Sequence, residues 1–147
     1  MRLPPLERQR SHLHWQFIGS REPVDSQTYT NDDSGLKIGS VLTACKNIHI
    51  RHPKDEVPYS LYVPGEDHEH YDLSVHFDTA AQFIHQSRQH TNILVHCMAG
   101  VSRSATLVMA YLMKYLNMSY REAHKAIQTN RKRVKLYLVR SILTLAL

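Results

Sequence analysis

One short stretch of the chain combines a cysteine, a glycine and an arginine in an arrangement suited to phosphate chemistry. It reads His96-Cys97-Met98-Ala99-Gly100-Val101-Ser102-Arg103-Ser104. Gly100 permits a tight turn and a close approach of the backbone to a ligand, and the planar guanidinium of Arg103 can hold two phosphate oxygens. A thiolate at Cys97 would then face the bound phosphate as a nucleophile. The stretch therefore predicts a site at which a cysteine attacks phosphorus.

The segments on either side are expected to position this stretch. Residues 93–95 (Ile-Leu-Val) form a short, wholly apolar run, which is typical of a strand in the middle of a covered sheet. Residues 104–116 form a strongly apolar helix. In a loop between a strand and a helix N-terminus, backbone N–H groups point into one concavity and favour an anion. We expect the phosphate to be bound by the loop residues Met98, Ala99, Gly100, Val101 and Ser102, in a field that also favours the thiolate of Cys97.

The rest of the chain alternates between segments typical of strands and segments typical of helices. Strands are predicted at residues 15–18, 36–44, 48–50, 60–63 and 93–95, and helices at 72–91, 104–116, from 119 onwards, and at 134–147. Such alternation predicts an α/β fold in a single domain, with a central, mostly parallel sheet flanked by helices.

Two helix starts carry recognisable capping residues. Asp72 is expected to cap the first predicted helix, in which one face carries the apolar residues Leu73, Phe77, Ala80, Ala81 and Ile84. Ser119 and Glu122 form a capping box at the start of the helix that follows residue 116.

Length and composition favour a soluble globular domain with anionic partners. The chain has 147 residues, 42% of them hydrophobic and 21% charged, which is enough for one packed domain. Residues 1–12 are rich in Pro and Arg and are expected to form a flexible arm ahead of a domain at 13–147. The net charge of +5 suits anionic partners, which include nucleic acid, phosphorylated proteins and acidic membranes. The basic run at 131–133 is too short to indicate nucleic-acid binding.

The compartment is inferred from cysteine usage and from missing targeting signals. Two cysteines in a domain of this size indicate a reducing compartment, and no stretch is long and apolar enough for a membrane span. The N-terminus lacks the apolar run of a signal peptide. We expect a cytoplasmic protein that can also enter the nucleus.

The residues around Cys97 resemble a known family. His96-Cys97-x-x-Gly100-x-Ser102-Arg103-Ser104 followed by Ala105-Thr106-Leu107 is similar to the phosphate loop of small, atypical dual-specificity protein phosphatases, within the cysteine-based protein tyrosine phosphatases. Residues 110–113 fit the same family, and the resemblance runs from about residue 14 to 130. It implies that 13–147 is a catalytic domain with a protein-tyrosine-phosphatase-like fold. Such domains hydrolyse phosphotyrosine and phosphoserine or phosphothreonine without a metal or another cofactor.

The resemblance also implies a role for each matching residue. Cys97 corresponds to the nucleophile and Arg103 to the phosphate clamp. Ser104 corresponds to the residue that helps the thiolate leave in the second step, and His96 to one that orients the loop rather than transferring protons.

A second catalytic group must protonate the leaving oxygen. The candidate carboxyls lie close together at 64–72, and they are Glu66, Asp67, Glu69 and Asp72. The family carries its acid about thirty residues before the cysteine, ahead of a helix start that Asp72-Leu73-Ser74 matches. The resemblance therefore places the general acid at Asp67 and leaves Asp72 as the helix cap.

Several other functions remain open for such a site. A phosphoinositide, RNA 5′-phosphate or glucan phosphatase could share the scaffold, although lipid-directed relatives often carry Lys in the loop and residues 98–102 contain none. A non-catalytic phosphoprotein-binding module usually lacks the cysteine, whereas Cys97 and Arg103 are both present. A sulfur-transfer or arsenate-reducing enzyme would not need a distant acid. A nucleotide-hydrolysing P-loop is excluded because no Gly-Lys-Ser/Thr motif occurs.

Overall fold

The computed structural model describes residues 38–46, 54–55, 57–66, 70–97 and 103–130. In chain order they form β1 (Ile38–Ala44), β2 (Tyr59–Val63), a 3-10 turn (Leu73–His76), α1 (Phe77–His90), β3 (Asn92–His96), α2 (Arg103–Tyr115) and α3 (Tyr120–Asn130). The predicted arm at 1–12, the predicted strands at 15–18 and 48–50, and the predicted helix at 134–147 lie outside the described residues.

The described strands form one parallel sheet in which β1 lies between β2 and β3. In this register Ala44 lies opposite Val63, and Thr43 lies opposite His96. The carboxyl ends of the three strands therefore meet at one edge, which is where open α/β sheets bind their ligands. The predicted parallel α/β sheet is confirmed, and Cys97 follows directly on β3 at this edge.

Both faces of the sheet are buried at β1 and β3, whereas β2 is mostly exposed or half-buried. Every residue of β1 is buried, and its alternate side chains belong to two apolar clusters. Leu42 and Val95 pack on one side in the same cluster as residues of all three helices. Val41 and Leu94 pack on the other side. Strands buried on both faces read as continuous apolar runs, which explains the sequence of β3.

The segment that leads into α1 refines one sequence prediction. Asp72 caps a helix as predicted, but the capped element is the 3-10 turn: its carboxylate accepts a hydrogen bond from the Ser74 N–H at 3.0 Å. Because Asp bonds readily to the backbone two residues further on, it favours such a local turn over a full helical turn. The α-helix begins at Phe77 and ends at His90, and the N–H of the following Thr91 donates to the Ser87 carbonyl at 2.9 Å.

Helix α2 is the most buried of the described helices. Its ten residues from Arg103 to Leu112 are all buried, and a helix that is buried on all sides lies inside the core. The chain reverses after α2 at Asn117, which adopts a left-handed conformation with φ of 51°. The predicted capping box then opens α3: Glu122 Oε2 accepts the Ser119 N–H at 2.8 Å, and Ser119 Oγ accepts the Glu122 N–H at 3.3 Å.

Among the described helices, none combines the length and the apolar character needed to cross a membrane.

Candidate active site

The candidate site lies where β3 ends and α2 begins. Cys97 directly follows β3, and Arg103 is the first residue of α2. Residues 98–102, which were predicted to bind phosphate through their backbone, lie outside the described residues. The predicted loop therefore begins at the end of a strand and ends at the start of a helix, as the sequence predicted.

The structure brings Cys97 and Ser104 together. The Cys97 sulfur lies 3.3 Å from the Ser104 hydroxyl oxygen, and the two residues are 3% and 0% exposed. At this distance the hydroxyl can donate a hydrogen bond to a thiolate, and a thiol can donate to the hydroxyl oxygen. Ser104 is therefore placed to stabilise negative charge on the Cys97 sulfur.

Arg103 is buried at the same edge of the sheet. Its side chain is held by the backbone that follows β2, because Nη1 donates to the Gly65 carbonyl at 3.1 Å. A Cβ at Gly65 would lie 3.5 Å from Arg103 Cδ, an ordinary van der Waals contact, and 3.1 Å from Leu73 Cδ1, which is a tight one. A guanidinium at this position can form charge-assisted hydrogen bonds with an anionic ligand such as phosphate.

His96 points across the sheet to the neighbouring strand. Its Nε2 lies 2.8 Å from the Thr43 hydroxyl oxygen, and both residues are buried. This bond fixes the ring immediately before Cys97 and ties the end of β3 to β1. The arrangement can orient the chain at Cys97, which is the function predicted for His96.

The four candidate acids differ in what surrounds them. Asp67 and Glu69 lie outside the described residues. Glu66 forms an ion pair with Lys46 beyond the end of β1, and the hydrogen bond that Lys46 donates to this carboxylate raises the pKa of Lys46 above its usual value. Asp72 caps the 3-10 turn. Glu66 and Asp72 therefore both have structural partners.

Tyr71 links the two ends of the segment that carries these acids. Its hydroxyl donates to the Pro64 carbonyl at 2.7 Å and lies 3.1 Å from His76 Nε2. Partial burial, followed by the nearby charges of Glu66 and Asp72, raises the pKa of Tyr71 above its usual value. The hydroxyl therefore keeps its proton, which it needs for donation to Pro64.

Thr43, Gly65 and Tyr71 were not among the site residues predicted from the sequence. For Gly65 the sequence did carry a signal, because a Pro-Gly pair directly after a strand marks a turn. The partners of Thr43 and Tyr71 follow from the sheet register and from the 3-10 turn, which no local pattern reveals.

Comparison with known proteins gives consistent matches. The family model for the dual specificity phosphatase catalytic domain matches residues 24–143. Human dual specificity protein phosphatase 14 is 44% identical over 93 residues, which cover 61% of this chain and 47% of that protein. MAP kinase phosphatase with leucine-rich repeats protein 3 from Dictyostelium discoideum is 38% identical over 100 residues, which cover 68% of this chain and 12% of that protein.

The chain spans half or less of the length of these curated relatives. Among solved structures, human DUSP28 superposes with a TM-score of 0.71 over 88% of this chain and 89% of that chain, at 20% identity. At this level of identity the likeness concerns the fold alone. The family match covers most of the chain, so the chain belongs to the dual-specificity phosphatase catalytic-domain family, a family of protein phosphatases with a protein-tyrosine-phosphatase-like fold.

Proposed function

We propose that this chain is a cysteine-dependent phosphatase that hydrolyses phosphotyrosine and phosphoserine or phosphothreonine in proteins. The observation that carries this proposal is the contact of the Cys97 sulfur with the Ser104 hydroxyl at 3.3 Å, at the start of the helix that also carries the buried Arg103. A sulfur nucleophile and a donor to its negative charge are thus in contact, and the cation proposed to hold phosphate is the residue directly before that donor. Membership of the family supports the same activity.

In the first step, the Cys97 thiolate attacks phosphorus and the ester bond to the substrate oxygen breaks. Arg103 and the backbone N–H groups of residues 98–102 hold the other phosphate oxygens. Asp67, as the protonated general acid, gives its proton to the departing oxygen. The products are the dephosphorylated alcohol or phenol and a phosphate ester of the Cys97 sulfur.

In the second step, water attacks phosphorus and the bond to the Cys97 sulfur breaks. Asp67, now a carboxylate, takes a proton from the water. The electron pair returns to sulfur, and the Ser104 hydroxyl stabilises the reformed thiolate by donating a hydrogen bond. His96, held by Thr43, keeps the chain at Cys97 oriented through both steps. No metal or cofactor has a part in this scheme.

The assignment of the acid to Asp67 draws support from its neighbours. Glu66 is paired with Lys46, and Asp72 caps the 3-10 turn. A general acid needs a carboxyl that is free to approach substrate, so these two carboxyls are poorer candidates.

The proposed substrates are phosphorylated proteins, and the net charge of +5 suits them. We also propose that residues 13–147 act as the catalytic domain behind an arm at 1–12, and that the protein acts in the cytoplasm and the nucleus.

The decisive experiment compares substrates with purified protein in the presence of EDTA. Phosphotyrosyl and phosphothreonyl peptides and phosphoinositide vesicles should be tested side by side. We expect hydrolysis of both peptides, no effect of EDTA, and none of this activity in Cys97→Ser. The Cys97→Ser protein should still bind inorganic phosphate, because Arg103 and the backbone N–H groups remain.

Each other result has a clear meaning. Hydrolysis of vesicles alone would favour a phosphoinositide phosphatase. Binding of phosphopeptides without turnover would favour a non-catalytic binding module. Turnover by Cys97→Ser would contradict the covalent mechanism.

A further inference from the structure

We propose that Tyr71 is a positioning residue for Arg103, to which its hydroxyl is coupled through the backbone of Pro64 and Gly65. The proposal rests on the phosphate-binding role proposed for Arg103. It assigns a purpose to the Tyr71 hydroxyl, which bonds to Pro64 and His76. Three contacts among described residues carry it.

The first contact fixes the Tyr71 hydroxyl. This group has one proton, and it donates that proton to the Pro64 carbonyl at 2.7 Å. At 3.1 Å from His76 Nε2, the hydroxyl oxygen must then accept, so Nε2 of His76 carries a hydrogen. The phenol is thereby held from two sides, by the 3-10 turn and by the chain that leaves β2.

The second contact fixes a peptide plane. The Pro64 carbonyl and the Gly65 N–H belong to the same planar unit. Tyr71 holds its oxygen, and the Val63 carbonyl accepts its N–H at 2.8 Å. With this plane held at both ends, the position of the Gly65 carbonyl depends only on the two backbone dihedrals of Gly65. Because glycine restricts these dihedrals least of all residues, the orientation of the Gly65 carbonyl depends more strongly on the peptide plane that precedes it.

The third contact joins the Gly65 carbonyl to the proposed clamp. Arg103 Nη1 donates to it at 3.1 Å, and this bond sets the plane of the guanidinium. A guanidinium binds phosphate through a rigid fork of N–H donors, so its orientation controls two hydrogen bonds at once. If the Tyr71 hydroxyl is lost, the Pro64–Gly65 peptide can rotate, and the N–H donors of the Arg103 guanidinium are no longer held in the orientation that binds phosphate.

The test measures the binding of inorganic phosphate to the full chain, by calorimetry and as a competitive inhibitor of aryl phosphate hydrolysis. Tyr71→Phe removes only the hydroxyl and keeps the ring. We expect it to weaken phosphate binding by about 3- to 10-fold, the scale of one hydrogen bond. The matched control is Tyr59→Phe on β2, where the side chain is exposed, and this change should leave phosphate binding unaltered.

A double-mutant cycle separates positioning from a general loss of order. Arg103→Lys keeps the charge but removes the fork, so adding Tyr71→Phe to it should weaken phosphate binding by less than about 2-fold. An equal loss in the Arg103 and the Lys background would overturn the proposal, because Tyr71 would then support the site without acting through the guanidinium. Unchanged phosphate binding by Tyr71→Phe would overturn it directly. If Arg103→Lys alone left phosphate binding intact, the clamp role under the proposed function would itself be wrong.

Discussion

The contact of Ser104 with Cys97 allows a quantitative prediction. Ser104→Ala removes the hydroxyl that lies 3.3 Å from the Cys97 sulfur. Both residues are almost fully buried, so bulk water does not replace the lost donor readily. A hydrogen bond to a charged group contributes about 1.5–3 kcal/mol. At about 1.4 kcal/mol for each tenfold change in rate, the step in which the thiolate departs should slow by roughly 10- to 150-fold.

The first step should be less affected than the second. In the proposed mechanism the Ser104 hydroxyl stabilises the Cys97 thiolate both before the first step and after the second. Loss of the hydroxyl therefore raises the barrier to departure of the thiolate, but it does not raise the barrier to its attack in the same way. The phosphoenzyme should therefore accumulate in Ser104→Ala. Rapid-quench kinetics with an aryl phosphate should show a burst of phenol that approaches one equivalent per site, followed by slow turnover.

Ser40→Ala is a matched control for this experiment. Like Ser104, Ser40 is a buried serine, and its hydroxyl has no hydrogen-bond partner among the described residues. Loss of the Ser40 hydroxyl should leave both the burst and the steady-state turnover unchanged. A fall in the steady-state rate of Ser104→Ala without any burst would show that the first step had slowed, and would refute the role given to Ser104.

Three further predictions concern the acid, the sheet and the core. Asp67→Asn should slow hydrolysis of phosphotyrosyl peptides by roughly 10²–10⁴-fold but affect an aryl phosphate with a good leaving group far less, whereas Asp72→Asn should change neither rate because Asn also caps; equal losses on both substrates would contradict the acid assignment. Gly39→Ala should lower the free energy of unfolding in urea by about 1–3 kcal/mol, since the added Cβ would lie 3.0 Å from Thr91 Cβ; an unchanged urea midpoint would show that the chain relaxes there. Burial raises the pKa of Tyr111 above 10.0, so above pH 10 the unfolded chain loses this proton while the folded protein keeps it. The free energy of unfolding is therefore unaffected by this group below pH 10 and falls as the pH rises further. Tyr111→Phe should reduce this fall in urea-unfolding experiments, and an unchanged dependence of the free energy of unfolding on pH would contradict the prediction.

Much of the fold follows from local patterns in the sequence. The apolar run at 93–95 lies in β3 because both faces of that strand are covered. The Ser119 and Glu122 pair forms its reciprocal bonds because capping depends only on residues three apart. Cys97 and Ser104 meet because both belong to one continuous motif around the start of α2.

The remaining features depend on contacts that a local pattern cannot give. The bond of Thr43 to His96 joins residues 53 positions apart, and it exists because of the register between β1 and β3. The bond of Arg103 to the Gly65 carbonyl spans 38 positions. The helix predicted from Asp72 onwards begins as a 3-10 turn because the Asp72 carboxylate competes locally for the backbone.

The burial of α2 has a consequence for the order in which the site is lost under denaturing conditions. Regions with the most buried contacts open last, whereas exposed connections open by local fluctuations at much lower free energy. Arg103 and Ser104 lie in the buried stretch of α2, while Pro64, His70 and Asp72 are exposed. Amide hydrogen exchange should therefore be slowest in α2 and faster around residues 65–66 and 70–72. At denaturant concentrations below global unfolding, the protein should stop assisting poor leaving groups, and phosphate binding should weaken with it, because Tyr71 and Gly65 lie in the segments that open first.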